Sequence, residues 1–120
     1  MSDFPSRKIK FKAWQADSRL LMRLSTVELG KGDQVRHNTI LLQFTGLTDK
    51  EGTEIYEMDV LLIDYDKYLV FWNAERNGWY YSPLLTREAQ QPFLAATAEK
   101  MKRFSSWFEL QHTPDKRRDA

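Results

Sequence analysis

A chain of 120 residues and 14.2 kDa predicts one domain with one buried core, spanning 7–111 between flexible ends at 1–6 and 112–120. Lys and Arg total 18 against 17 for Asp and Glu, so a net charge of +1 excludes a global field toward nucleic acid or an anionic membrane. With no cysteine, disulfides, thiolate metal sites and cysteine nucleophiles are excluded, and a reducing, cytoplasmic setting is expected.

The segment from Met1 to Lys8 lacks the charged start and apolar stretch of a secretory signal. Lys8 to Ala13 then alternates strictly and predicts an edge strand, with Ile9, Phe11 and Ala13 facing inward and Lys8, Lys10 and Lys12 facing solvent. Gln15 to Ser18 reads as a turn, and Arg19 to Leu24 as the strand returning from it. Gly30-Lys31-Gly32-Asp33 is a loop signal, Thr39 to Phe44 a further strand, and Asp49 to Gly52 a turn leading into Ile55-Tyr56.

Val60 to Ile63 and Tyr68 to Trp72 are apolar at odd and even positions alike, which predicts central strands buried on both faces. The first of these runs is far short of the roughly 20 apolar residues of a membrane span, so no membrane partner is expected. Asp66-Lys67 would turn between the two strands, and Asn77-Gly78 carries the strongest hairpin signal in the chain. From Pro92 to Phe104, the spacing of Phe93, Thr97, Met101 and Phe104 predicts a helix that covers the sheet, with Trp107 to Leu110 as a last short strand. Thr113 to Asp119 is a polar tail whose Lys116, Arg117 and Arg118 are offset by flanking aspartates. The sum is an α+β domain: a twisted, mainly antiparallel β-sheet, its closure toward a barrel left open, with one C-terminal helix packed on it.

Two stretches, Arg7 to Trp14 and Leu42 to Val60, resemble the YopX family of small phage and prophage proteins. Family members open on an Ile-Lys-Phe-Arg-Ala-Trp-like strand. They also carry Gln-Tyr/Phe-Thr-Gly-Leu-x-Asp-x-x-Gly-x-x-Ile-Tyr-Glu-Gly-Asp, which this chain follows except that Met58 stands at the last glycine. The helix-like segment before the final strand is a second departure. The resemblance implies a β-rich fold and a mobile-element origin, and carries no established activity.

Within the shared motif, Gly46, Gly52 and Asp49 suit turns, and Ile55 and Tyr56 suit a sheet. The functional alternative is that Thr45, Asp49, Tyr56, Glu57 and Asp59 surround a ligand. Elsewhere, His37 and His112 have no recognisable partner, and Ser25 or Thr26 would need one of them nearby to act as a nucleophile. Glu57, Asp59, Asp64 and Asp66 form a potential carboxylate cluster, but calcium-loop, zinc, phosphate-loop and dinucleotide spacings are all missing, so neither metal nor cofactor is expected.

Two binding readings remain, neither enzymatic. Trp72, Trp79, Tyr80, Trp107 and Phe108 offer more aromatic surface than a small chain readily hides, which points to a protein partner or a homo-oligomer. The alternative is a nucleic-acid face built from Lys8, Lys10, Lys12, Arg19 and Arg23, although lysines also blunt an edge strand against aggregation. Trp14, Trp79 or Tyr81 exposed beside that row would favour single-strand binding.

Overall fold

A computed structural model describes residues 8–24 and 38–112, with the side chain of His112 excepted. The expectations for the ends, the Gly30 to Asp33 loop, Ser25, Thr26, His37 and the basic tail lie outside the described residues. Two antiparallel sheets make up the fold. The first runs β2-β1-β3-β4, from β1 (Phe11–Gln15), β2 (Leu20–Leu24), β3 (Thr39–Thr48) and β4 (Glu54–Tyr56). The second runs β8-β7-β6-β5-β9, from β5 (Asp59–Ile63), β6 (Asp66–Asn73), β7 (Gly78–Pro83), β8 (Gln91–Pro92) and β9 (Lys102–Ser106). Two short helices, α1 (Ala95–Ala98) and α2 (Trp107–His112), complete the α+β architecture, and one sheet curls into a half-barrel.

The second sheet is built as its apolar runs dictate. Val60, Leu61, Leu69 and Val70 are buried on alternating faces of β5 and β6, each worth about 1.5–3 kcal/mol of burial. One face packs Leu61 and Val70 with Ile55, Phe93, Ala98 and Met101 into the main core. The β6–β7 hairpin ends as Asn77-Gly78 predicts, but through a four-residue loop closed by the Asn73–Gly78 pair rather than a two-residue turn. The turn before β6 falls at Asp64-Tyr65, two residues ahead of Asp66-Lys67, because Asp64 takes the left-handed φ of 54°.

Three expectations are corrected. Strand β1 lies between β2 and β3, so it is an inner strand and its lysines do not guard an edge. The helix expected over Pro92 to Phe104 is confined to α1, which has no side-chain cap at Leu94. The rest of that segment is claimed by pairing: Lys102, Arg103, Ser105 and Ser106 fill the open edge of β5. Backbone pairing along an otherwise unpaired edge satisfies more polar groups than extending a short, uncapped helix. Trp107 to Leu110, expected as a strand, opens α2, where Phe108 stacks on Trp14 at 5.7 Å and Trp107 stands edge-on to Phe108. The C-terminal helix therefore exists, one element later than its expected place.

Candidate functional site

Alternation in β1 sets two faces, and the packing inverts their expected polarity. Lys10, Lys12 and Trp14 share the inner face with Leu42, Phe44 and Tyr56, while Ile9 and the cross-strand neighbours Leu20, Met22 and Leu41 face outward. Lys12 is only 9 % exposed, whereas Ile9 is 59 %, Leu20 54 %, Met22 39 % and Leu41 36 % exposed.

Aromatic rings and carboxylates make the charged interior tolerable. Lys10 pairs with Glu54 and lies 5.4 Å above the Phe44 ring, and Lys12 Nζ sits 4.4 Å from the centre of the Tyr56 ring. Tyr56 donates its hydroxyl to Glu54 Oε1 at 3.2 Å. Beneath them, the buried Asp59 Oδ2 accepts from the Tyr56 N–H at 2.8 Å and from Arg103 Nε at 3.0 Å. Arg103 reaches this position through a bulge: β9 pairs Ser105 with Val60 and Arg103 with Leu61, leaving Phe104 as the extra residue.

Burial governs the titration of this network. Loss of water lowers the Lys12 ammonium, a shift that Asp59 opposes and the Arg103 and Arg23 charges reinforce. Asp59 is pushed up by burial even though Arg103 and the Tyr56 N–H favour its carboxylate. Burial, then Glu54, raises the Tyr56 phenol, and the hydrogen bond from Lys10 holds Glu54 below the usual carboxylate range despite partial burial.

The remaining motif residues hold the chain together. Thr45 Oγ1 donates to the Ile55 carbonyl at 2.8 Å and accepts from the Leu47 N–H. Asp49 accepts three backbone N–H groups, from Glu51 and Thr53 at 2.8 Å on Oδ1 and from Arg103 at 2.7 Å on Oδ2. Burial pushes its carboxyl up, but these donors outweigh burial and hold it below the ordinary range. Glu57 accepts from the Gln43 N–H at 3.3 Å, and burial raises its carboxyl. Met58 takes φ 67°, the left-handed conformation that explains a glycine at this place in the motif. Its N–H reaches the Val70 carbonyl and its carbonyl accepts from Trp107 N–H at 2.7 Å, tying the two sheets and α2 together.

A family model described as "YopX protein" matches residues 4–105. The chain belongs to the YopX family. The fold of this YopX chain is similar to the crystal structure of protein EF1440 from Enterococcus faecalis, with a TM-score of 0.61 and 15% sequence identity over 89% of this chain and 98% of that one. No curated protein matches the chain.

Of the basic residues expected to form one face, Lys10, Lys12 and Arg23 do share the lysine side of the first sheet, whereas Lys8 is exposed ahead of β1 and Arg19 sits in the β1–β2 turn at φ 57°. Trp14 on that side is buried, as are Phe44 and Tyr56. The five aromatic residues expected to form one patch are divided. Trp72 and Trp79 pair across β6 and β7 at 5.1 Å, Trp79 against the main core. Tyr80 lies on the opposite face beneath Arg76, and Trp107 and Phe108 are engaged by Arg87 and Trp14. Among the described residues no three His, Cys, Asp or Glu side chains group to hold a metal. No helix among them is long and apolar enough to cross a membrane.

The buried lysine was missed because alternation reveals two faces without saying which is inside. Trp14, the bulkiest side chain of the strand, has the same parity as the lysines, and that was the available signal.

Proposed function

We propose that this YopX protein is a non-enzymatic phage or prophage accessory protein that acts by binding a second copy of itself along β2. The observation that carries this reading is the contrast among sheet edges. β8 is two residues long and ends in Pro92, β9 is bulged at Phe104 and carries Lys102, and β4 is three residues long beside an irregular register. Each is blunted against further pairing. By contrast, β2 runs five residues, Leu-Leu-Met-Arg-Leu, in regular register with β1 and presents Leu20 and Met22 to solvent.

A second copy suits this edge because antiparallel pairing about a two-fold axis needs only a self-complementary strand. The outer side chains at the edge, Leu20, Met22 and Leu24, are uncharged and meet their own equivalents without repulsion. The test is mass by light scattering across concentration, for the natural chain and for Leu20→Glu and Met22→Glu. The expected result is a species of twice 14.2 kDa that both substitutions return to monomer. A monomer at every concentration overturns the reading and leaves the edge to another protein or to residues 25–37 of the same chain.

A nucleic-acid-binding module is the second reading, favoured by the common face of Lys10, Lys12 and Arg23. Against it, Lys10 is paired with Glu54 and the neighbouring rings Trp14, Phe44 and Tyr56 are covered, leaving none to stack an unpaired base. Titration of single-stranded DNA at low and high salt tests it, since phosphate contacts lose affinity steeply with salt.

A further inference from the structure

On the inner face of the first sheet, Lys12 and Arg23 stand directly opposite each other across β1 and β2. Like charges at opposed positions of an antiparallel pair repel, and here the repulsion is felt within the site, because the Arg23 charge depresses the Lys12 ammonium. Among the described residues, Glu54 is engaged by Lys10 and the Tyr56 hydroxyl and Asp59 by Arg103 and the Tyr56 N–H, while Asp59 and Glu109 favour the Lys12 charge only through space. Among the described residues neither Lys12 nor Arg23 has a hydrogen-bond acceptor. The Lys12 side chain is nevertheless largely covered, its stem buried and its ammonium over the Tyr56 ring at the margin of solvent.

An ammonium on a buried stem over an aromatic floor, with no acceptor among the described residues and an exposed guanidinium directly across from it, is an arrangement that an anion would complete. We propose that Lys12 and Arg23 form a binding site for a small oxyanion, with Arg23 supplying a planar fork of donors and Lys12 a point charge from below. Phosphate and carboxylate groups share the required chemistry: at least two acceptor oxygens and a negative charge that relieves the opposed cations. Tyr56 closes the floor, and its place depends on Asp59, whose carboxylate takes the Tyr56 N–H.

The experiment follows the thermal unfolding of the full chain in phosphate, acetate and chloride at matched ionic strength, with isothermal titration of phosphate and acetate. Binding to the folded state raises the melting temperature by mass action, so phosphate or acetate is expected to stabilise beyond chloride. Whichever salt does so names the class of ligand. Lys12→Met, which keeps the apolar stem, and Arg23→Gln, at an exposed position, are each expected to weaken the affinity about tenfold or more, while Lys8→Gln leaves it unchanged. If Lys12→Met does not fold, Arg23→Gln carries the test alone. No gain beyond chloride, or a gain that persists in the folded variants, overturns the site.

Discussion

Asp49 gives the sharpest test of how the family motif stabilises the fold. Its carboxylate joins two parts of the chain: Oδ1 closes the Asp49 to Thr53 turn through the Glu51 and Thr53 N–H groups, and Oδ2 takes the Arg103 N–H, 54 residues away. A hydrogen bond to a charged acceptor is worth about 1.5–3 kcal/mol, but the two turn donors are close to solvent and recover most of theirs from water. The Arg103 donor lies at the start of β9, so its loss dominates, and Asp49→Ala is expected to cost about 3 kcal/mol. That is a large part of the roughly 5–15 kcal/mol that holds an ordinary domain together. Urea unfolding followed by the emission of the four Trp reads this as a midpoint lower by about 1–3 M, given a slope of about 1–3 kcal/mol per molar. Asp49→Asn separates the two functions. With its oxygen at the turn, its NH2 opposes the Arg103 N–H, so the turn survives and about 2 kcal/mol is still lost. The pH dependence has a defined sign. The folded Asp49 carboxyl lies below its unfolded value, so its contribution is complete above about pH 4 and disappears as pH falls through the folded value. In Asp49→Asn the acid limb of the stability curve is correspondingly shallower. If both substitutions cost under about 1 kcal/mol, the strap between turn and β9 is not what holds this corner.

Two further substitutions test the junction between the sheets. Met58→Gly relieves a left-handed residue, worth about 1–2 kcal/mol, but surrenders a half-buried side chain beside Leu69, Phe71, Arg87 and Gln90 and loosens the unfolded chain. The expected net change in thermal unfolding is under about 1 kcal/mol, and a loss above about 2 kcal/mol would show that the thioether, not the backbone, fixes the junction. Asp59→Ala leaves Arg103 and the Tyr56 N–H without an acceptor and is expected to cost about 3–5 kcal/mol in urea unfolding. Asp59→Asn keeps an oxygen for one of them and should cost distinctly less, so equal losses would mean that the charge, rather than the hydrogen bonds, is what Arg103 requires.

Much of this architecture is legible from local pattern because local chemistry decides it. Val60 to Ile63 and Tyr68 to Trp72 have no polar side to turn to water, so any fold must bury both faces, and the second sheet does. Asn77 can adopt positive φ, and the chain reverses there. Pattern fails where a distant partner makes the choice. Phe93 and Met101 face the core both in the expected helix and in the observed path, where they flank α1 between β8 and β9, so their spacing fits either, and β5 together with the Asp49 carboxylate selects the strand β9. The same limit applies to β1. Its alternation is real, but which face turns inward depends on Phe44, Tyr56, Asp59 and Arg103, all far beyond β1 in the chain. Glu54 pairs with Lys10, while Lys12 has a ring and the more distant Asp59 and Glu109 carboxylates but no acceptor among the described residues. A strand that buries a cation costs stability unless something recovers it, and the opposed Arg23 adds to that cost. Retaining both cations on the inner face, while leucine and methionine are left to solvent on the outer one, is hard to account for by folding alone. It follows directly if the inner face receives an anion and the outer edge receives a second chain.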